Sequence, residues 1–577
     1  IYSGGGNILM RAKSTGSSAF WGSGMQLNAG AGTINLVGIS TSGYGFDLNE
    51  TSPMNVVAGG GSANTPAISL NGQANGLGIF MGFYNNTTAQ GRSLFQATGA
   101  GGISLTGVGG GTSEGINTNG TGFLSASGPI IFDGGATGIA FAKTVGGGYS
   151  FAVTPMGRCA VATCANSLVT TSTANITLIG NTLSPGTGVN TYTSGTLTLQ
   201  PTATSFTSAL SWPVTNLNLS SDVSGLTLGK DTGTTAHTDT VTIGSDTTIA
   251  GPINVYAGSI NVNANLNTTG GAANGDILLK ASGNISLASS KTITTTGGDV
   301  TFWADSDGNG TGYAQMSASS SITTSGGLGG AITLGGGTSI STGYARGEAT
   351  RDTVTEPLYT LYISGVNLQS GASLTSGGGD ITLRGQNVDT SASAMSFGVM
   401  GGGVTVDAGT GKIAIAGKAT GSALVNAQAV SAYGNGFTLR SANTTSQAIV
   451  VEGDASAVNG TNASLGINFG GSIEATGIGG GISITGKSGT AAVDVATGLG
   501  VSSILAKSGP ITIRGVNDSA NLAVSAQGST IGFKSGSGVL SSSSDITFIG
   551  DLISYGSATV QSSGTLTLKP YTANTTI

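Results

Sequence analysis

The stretch DILLKASGNISLASSKTITTTGGDVTFWA, residues 276–304, carries the pattern that decides the fold. Ile277, Ile285, Ile293 and Val300 recur in it every 7–8 residues, and three of the four begin a short alternation of apolar and polar residues. Alternation with a period of two is typical of a strand that buries one face. Gly, Ser and Asn separate the segments and supply turns. The pattern predicts an all-β fold, a parallel β-solenoid of roughly 22–24 residues and three short strands per coil.

The composition agrees with a β-solenoid and argues against several other classes. Gly accounts for 103 of 577 residues, charged residues for 8% and hydrophobic residues for 38%. Disordered chains combine low hydrophobicity with high net charge, whereas the net charge here is only −6. The pI of 4.8 and the scattered Lys and Arg residues disfavour nucleic acid as a partner. No apolar run approaches the ~18 residues that span a bilayer. The chain opens with IYSGGG, so we expect any signal peptide to be absent or already removed.

A second, much longer repeat returns segments after roughly 370–380 positions. SGGGNILMRA, which starts at Ser3, returns as SGGGDITLRG, which starts at Ser376. Five further pairs keep the same order: MQLNAGAGTINLVG with VTVDAGTGKIAIAG, GISLTG with GISITG, SGPIIF with SGPITI, NITLIG with DITFIG, and SGTLTLQP with SGTLTLKP. We therefore assign 1–199 to most of one copy, 200–375 to its remainder and 376–577 to the start of the next, within one continuous solenoid cut from a longer array.

The long repeat also predicts which residues are structurally equivalent. Matching inward positions are expected for three pairs: Ile34 with Ile413, Ile103 with Ile482, and Leu197 with Leu566.

The sequence offers little that resembles a catalytic site. The chain has one histidine, His237, which we expect in a surface turn. Its 25 carboxylates are mostly single, which disfavours the paired acid and base of glycosidases. We predict that the protein is not an enzyme and needs no cofactor.

The best candidate for a metal site is the segment that holds Asp305, Asp307 and Asn309, followed by Gly310. This alternation resembles the first half of a calcium-binding loop, in which hard oxygens converge on a hard cation. The twelfth position is Met316 rather than Glu, so the EF-hand pattern fails. A calcium site and an Asx-rich turn both remain open, and the turn carries more weight.

Two segments break the rhythm of the coils. The first, 146–173, contains Cys159 and Cys164, which are close enough in sequence to form a disulfide and are equally consistent with two small buried thiols. A metal site at these cysteines is disfavoured, because the chain has no second pair and one histidine. The second segment, 344–357, is the most charged stretch. Both are the strongest candidates for loops that leave the solenoid, while ordinary solvated turns carry more weight for each. Trp303, out of phase with its strand, is expected to face outward or to lie where the chain turns a corner.

The short units GDITLRG, GNISLAS, GKIAIAG and SGTLTLQP resemble those of bacterial two-partner-secretion exoproteins of the filamentous haemagglutinin type, and of large Gly/Ser/Thr-rich repeat adhesins. The resemblance extends over nearly the whole chain. It implies a right-handed parallel β-helix, export through an outer-membrane exporter, and an extracellular or cell-surface location. It also implies a role in adhesion or in an extracellular fibre, and it supplies no catalytic residues.

These observations favour a structural and adhesive filament, because a stack of nearest-neighbour contacts extends without redesign. The expected partner is the protein itself, through end-to-end continuation or lateral bundling, with cell-surface glycans and other cells as further candidates. The alternative is a carbohydrate-binding or carbohydrate-cleaving β-helix, which requires acids or aromatics stacked on successive coils. An ice- or crystal-binding solenoid carries the least weight, since its Thr-x-Thr pairs do not recur at coil spacing.

Overall fold

The computed structural model of the chain describes residues 1–50, 54–83, 93–118, 121–140, 155–157, 172–184, 189–215, 217–219, 223–326, 329–347, 349–350, 362–387, 395–421, 427–458, 465–489, 495–497, 503–516, 522–532 and 542–572. The chain divides into two compact units. Unit 1 comprises Ile1–Thr232, His237–Gly244 and Thr248–Ala257, and unit 2 comprises Gly233–Ala236, Ser245–Thr247 and Gly258–Ile577. Helix in the described ranges is confined to two 3₁₀ turns, Gly135–Thr137 and Ala272–Gly275, and the predicted all-β solenoid is confirmed.

Unit 1 is a series of coils whose strands stack into three parallel sheets, which we call faces 1, 2 and 3. Face 1 contains Ile8–Ser14, Ile34–Ser40, Ile68–Gln73, Ile103–Val108, Ile130–Asp133, Ile176–Ile179, Thr196–Gln200, Gly225–Leu228 and Ile253–Ala257. Face 2 contains Phe20–Trp21, Phe46–Glu50, Ile79–Phe83, Ile116–Thr118, Ile139–Ala140 and Leu183–Ser184. Face 3 contains Gln26–Asn28, Asn55–Ala58, Leu94–Ala97, Gly122–Ser125, Pro155–Gly157, Val189–Tyr192 and Leu217–Leu219. Leu210–Trp212 pairs with Thr240–Ile243, and Thr247–Ile249 contains residues of both units.

Unit 2 repeats this plan. Its face 1 contains Ile277–Ala281, Val300–Ala304, Ile332–Gly336, Ala345–Gly347, Ile381–Asn387, Ile413–Gly421, Ile449–Val458, Ile482–Lys487, Ile511–Gly515, Ile546–Ile549 and Leu566–Lys569. Its face 2 contains Ser259–Val262, Ile285–Leu287, Ala314–Met316, Tyr362–Leu368, Leu465–Phe469, Val495–Thr497, Val524–Ser525 and Ile553–Ser554. Its face 3 contains Leu266–Gly271, Thr292–Thr296, Ser321–Thr324, Ser373–Thr375, Gly471–Ala475, Ser503–Ala506, Thr530–Ile531 and Thr559–Val560.

Two long strands join faces 2 and 3 of unit 2. Met395–Asp407 pairs with Tyr362–Leu368 and with Ser373–Thr375, and Ala427–Ser441 pairs in the same way with the two strands that follow it. Pairing between the described strands is parallel, apart from the short antiparallel contact of Ala349–Thr350 with Tyr362–Leu368. Two isolated antiparallel bridges join Ser62 with Thr65 and Gly312 with Arg346.

The core is a set of aliphatic ladders that run from coil to coil. In face 1 the first inward residue of each strand pairs with its equivalent in the next coil, as Ile34 does with Ile68 and Ile68 with Ile103. These side chains are fully buried, and each burial stabilises the fold by about 1.5–3 kcal/mol. The first inward residues of unit 1 are Ile8, Ile34, Ile68, Ile103, Ile130, Ile176, Leu197, Leu226 and Ile253.

Coil length varies more than the sequence pattern predicts. Ile277 pairs with Val300, 23 residues further along, which agrees with the expected 22–24. Ile332 instead pairs with Ile381, 49 residues further along. The strands keep their register because stacking of the inward side chains sets it, while the connections between faces differ in length.

The long repeat corresponds to seven matching coils in face 1 of the two units. In chain order, the first inward residues match as Ile8 with Ile381, Ile34 with Ile413, Ile68 with Ile449, Ile103 with Ile482, Ile130 with Ile511, Ile176 with Ile546, and Leu197 with Leu566. The expectation of matching burial holds for Ile34 with Ile413 and for Ile103 with Ile482. Leu197 is buried whereas Leu566 is 54% exposed, because Leu566 lies in the last described strand and no described strand stacks beyond it. The boundaries 199 and 375 stay predictions about the repeat copies.

Where face 1 ends, a glycine lets the chain turn against its own backbone. Gly72 stands in register with Gly38 and Gly107, and Gly453 stands in register with Gly417 in unit 2. A Cβ at Gly72 would meet the backbone of Gly78 and the side chain of Ile79 inside 3.0 Å, a separation that Cβ atoms essentially never show. We call these positions the corner glycines: Gly38, Gly72, Gly107 and Gly134 in unit 1, and Gly385, Gly417, Gly453, Gly486 and Gly515 in unit 2.

At the other end of face 1, side chains satisfy backbone amides that the strands leave unpaired. Asp299 Oδ1 accepts a hydrogen bond from the amide of Ala331 at 2.7 Å, one coil further on. In five further pairs a side-chain oxygen accepts in the same way from the amide one coil further on: Asn7 from Thr33, Asn175 from Thr196, Asp276 from Asp299, Asp380 from Lys412, and Asp545 from Thr565. An unpaired backbone amide is costly, so this bond explains why Asp precedes the first Ile in units such as GDITLRG. Asn284 of GNISLAS makes the equivalent bond on face 2, where its Oδ1 accepts from the amide of Tyr313 at 3.1 Å.

Candidate functional site

The calcium candidate forms a turn that its own side chains close. Asp305 Oδ1 accepts hydrogen bonds from the amides of Gly310 and Thr311, at 2.8 and 3.3 Å. Asp307 Oδ2 accepts from Asn309 Nδ2 at 2.8 Å, and Asn309 Oδ1 accepts from the amide of Thr311 at 2.8 Å. Most of the oxygens that would ligate a cation therefore bind the turn itself, in agreement with the Asx-rich turn. A calcium ion at Asp305, Asp307 and Asn309 stays a prediction.

Asp305 is the most perturbed acid in this turn. Its side chain is fully buried, and its Oδ2 has no hydrogen-bond partner among the described residues. Burial raises the pKa of Asp305 to about 6, and the neighbouring Asp307 acts in the same direction. The amides of Gly310 and Thr311, together with Arg346, partly oppose this rise.

The other sequence candidates have mixed outcomes. Cys159 and Cys164 lie outside the described residues, so their disulfide stays a prediction. The expectation that His237 occupies a surface turn is wrong for its side chain, which is only 7% exposed and hydrogen-bonded through Nε2 to Thr232 Oγ1 at 2.9 Å. Trp303 faces outward as expected, with Lys280 Nζ 4.6 Å from its ring.

The site that sequence reasoning missed is a groove on the outer side of face 1 in unit 2. It has a volume of about 400 Å³. Five of the residues that line it carry charged side chains, and we call it the charged groove. Its lining consists of Tyr344, Ala416, Gly417, Lys418, Glu452, Gly453, Asp454, Thr485, Lys487, Arg514 and Val516.

The strand register places these charges in two adjacent ladders. Lys418 pairs with Asp454, and Asp454 pairs with Lys487, so one ladder alternates in sign over three coils. The second ladder carries Glu452 and, two coils further on, Arg514. Neighbouring strands lie about 4.8 Å apart, which sets the spacing of the charges along the stack. The side chains point outward because they alternate with the buried ladder residues.

Two of the three basic side chains of the groove, Lys418 and Arg514, contact aromatic rings, and the acids of the groove have no ionic partner among the described residues. Lys418 Nζ lies 4.3 Å from the ring centre of Tyr344, and Arg514 Cζ lies 5.3 Å from that of Tyr571. Asp454 Oδ1 accepts a hydrogen bond from the amide of Ser456 at 3.0 Å. Across the described residues, none of the five groove charges forms an ion pair within 4.0 Å. The five charged side chains of the groove therefore do not neutralise one another through ion pairs.

A small apolar cluster supports the edge of the groove. At the corner glycine Gly417 two backbone segments lie against each other, since a Cβ at Gly417 would clash with the carbonyl oxygen of Ala429. The side chains that pack beside this corner are small: Ala419, Ala427, Ala429, Ala455 and Val458 are all buried. Small residues allow the close approach of backbones at this corner, next to the strand pairing that places Lys418 beside Asp454.

Unit 1 has the same framework, with a charged residue at only one of the five matching positions, Asp133. The residues that match Lys418, Asp454 and Lys487 are Ile39, Gln73 and Val108, and they stand in the same register. The residues that match Glu452 and Arg514 are Asn71 and Asp133, linked in the same way through Thr106. The groove could have been found in the sequence by comparing the two copies position by position, because charged residues in one copy then stand opposite mostly uncharged residues in the other.

Comparison with protein-family models, curated proteins and solved structures finds no match, so the resemblance to haemagglutinin-type exoproteins stays a prediction. Within the described ranges, no three His, Cys, Asp or Glu side chains are grouped as a metal site would require. A search of the same ranges for a helix with the length and hydropathy of a membrane span finds none.

Proposed function

We propose that the chain is a segment of a structural and adhesive filament that acts outside a bacterial cell or on its surface. The observation that carries the proposal is the occurrence of the same seven coils, in the same order, in both units. Neighbouring coils stack through the same parallel ladders in both units, and four of the seven matched coils carry a corner glycine in both, so copies can be added without changing the interface. The low content of charged residues, 8%, agrees with a scaffold of stacked strands.

The proposal has a direct test in electron microscopy of the native material. Uniform fibres about 20–30 Å across a single strand stack, the width of three short strands per coil, are the expected result. The partner in such a fibre is the protein itself, by end-to-end continuation or lateral bundling. Compact, monodisperse particles would contradict the proposal. Heat-unfolded protein is the control for fibres that arise from aggregation.

The second candidate function is a carbohydrate-binding or carbohydrate-cleaving β-helix. One observation favours it, namely that unit 2 collects charged side chains on successive coils, which is the arrangement such a protein requires. Lys418, Asp454 and Lys487 occupy one ladder, and Tyr344 borders it. An assay for retention of the chain on immobilised acidic and neutral polysaccharides, with release of reducing sugars measured in parallel, separates binding from cleavage.

A further inference from the structure

We propose that the charged groove of unit 2 binds a linear glycan that carries carboxylates, laid along the stack of coils. Lys418, Lys487 and Arg514 bind its carboxylates, and Glu452 and Asp454 accept hydrogen bonds from its hydroxyl groups. The inference rests on the second candidate function and names its ligand class. It is independent of filament assembly.

The spacing of the charges fits a sugar chain with one carboxylate in every second residue. Lys418 and Lys487 belong to the same ladder with Asp454 between them, so the two cations stand about 10 Å apart. A pyranose residue in an extended glycan advances by about one strand spacing. Cations on alternate coils therefore meet carboxylates on alternate sugars, and Asp454 faces the sugar that has only hydroxyl groups to offer.

The acids in the groove determine which anion it accepts. A polyanion that lacks hydroxyl donors would place negative charge against Glu452 and Asp454, and unpaired like charges are unfavourable. A glycan supplies carboxylates for the basic side chains and hydroxyl donors for the acids. Both kinds of group are thereby paired in one ligand.

The same region is poorly suited to an extended peptide. Peptides commonly bind by adding a strand to a free sheet edge or by filling apolar pockets. The strand Ile449–Val458, at the middle of the groove, is paired on both sides, with Ile413–Gly421 and with Ile482–Lys487. The charged ladder positions alternate with the buried core residues, so the groove presents polar side chains and no free backbone.

The charges are not required for the coils to stack. Unit 1 builds the same register with Ile39, Gln73 and Val108 in place of Lys418, Asp454 and Lys487. Glu452, Asp454 and Lys487 are exposed, so they contribute little to the core. Unit 2 thus differs from unit 1 by a set of charges whose register is suited to a ligand.

The test measures binding of the full chain to a hyaluronan octasaccharide, in which glucuronate and N-acetylglucosamine alternate, by isothermal titration calorimetry. We expect binding that weakens with salt and is absent for a neutral cello-oligosaccharide of equal length. The double variant Lys418→Ile, Lys487→Val installs the unit 1 residues and should weaken binding about tenfold or more, as expected for lost charge-assisted hydrogen bonds. Lys13→Ile, an exposed lysine on the matching ladder of unit 1, is the control and should leave binding unchanged.

Variants of Glu452 distinguish a glycan site from a general anion site. Glu452→Ala should weaken binding because a hydroxyl acceptor is lost, while Glu452→Gln, which retains an acceptor, should stay close to the parent protein. Tighter binding by Glu452→Ala would overturn the proposal, and so would equal affinity for a polyaspartate peptide or for the neutral oligosaccharide. Circular dichroism of each variant establishes that it is folded. Electron microscopy of the double variant should show the same fibres as the parent protein. This result distinguishes loss of glycan binding from loss of filament assembly.

Discussion

Replacing the corner glycine Gly72 by alanine tests the packing that closes each coil of unit 1. The added Cβ would lie 2.7 Å from Ile79 Cγ1 and 2.8 Å from the carbonyl carbon of Gly78, and closer still to the carbonyl oxygen of Gly78. Only the Ile79 side chain can move without displacing backbone. The backbone of Gly78 is held by its own pairing with the preceding coil, since Phe46 donates its amide to the Gly78 carbonyl at 3.0 Å.

The expected magnitude follows from the number of rigid contacts. Overpacking by one methyl group in a well-packed region costs about 1–3 kcal/mol. Two of the three close contacts of the added Cβ are with the backbone of Gly78, which cannot easily move, so we expect Gly72→Ala to cost about 3 kcal/mol. Alanine also reduces the entropy of the unfolded chain, which stabilises by about 0.4–1 kcal/mol where the site can accept it. Gly16 is such a site, because nothing lies within 4 Å of its Cβ position. The two variants should therefore differ by about 3–4 kcal/mol.

Amide hydrogen exchange measures this difference locally, which matters because a stack of coils need not unfold in one step. The amides of Ile34–Ser40, Ile68–Gln73 and Ile103–Val108 should exchange about 100-fold faster in Gly72→Ala than in the parent protein, since 1.4 kcal/mol corresponds to a factor of ten. The same amides should be unchanged or slower in Gly16→Ala. If the two variants exchange within about threefold of each other, the corner is not as tight as its geometry indicates.

Three further predictions concern the ladders and the buried acid. Asp299→Ala should speed exchange of the Ala331 amide and lower the free energy of unfolding by about 1 kcal/mol, whereas Asp299→Asn should not; equal effects would contradict the role of the acceptor. Burial raises the pKa of Asp305 to about 6, so its contribution favours folding below its unfolded pKa and is lost as pH rises through 6. Thermal melts of Asp305→Asn should accordingly lose part of the stabilisation that the parent gains between pH 7 and 5, and an unaltered profile would refute the assignment. Ile103→Ala and Ile482→Ala should each cost about 2–5 kcal/mol in chemical denaturation, and a large difference between them would show that the matched coils are not equivalent.

The fold was predictable because its main signal is local. The alternation that begins at Ile277 and Val300 specifies strands with one buried face, and the pairing of these two residues confirms the predicted coil at that point. Coil length elsewhere was not predictable from the same signal. Ile381 follows Ile332 by 49 positions, and the length of the connection within that stretch leaves no trace in the strand pattern.

The charged groove was harder to predict because its parts are distant in sequence. Lys418, Asp454 and Lys487 become neighbours only through the register of three strands, and that register depends on the lengths of the intervening connections. Single carboxylates such as Glu452 look unremarkable in a linear reading. The calcium candidate, by contrast, was visible in the sequence because its residues are contiguous, and the same contiguity lets Asp307 and Asn309 satisfy one another within the turn.

The corner glycines separate the length of a connection from the alignment of the strands it joins. Five residues lie between Gly72 and Gly78, seven between Gly107 and Gly115, and three between Gly134 and Gly138, yet each glycine meets the backbone on the far side of its corner in the same way. Insertions and deletions at these sites leave the ladders aligned. The outer surface of such a protein can therefore diverge quickly under selection, while the buried rows of Ile and Leu remain fixed.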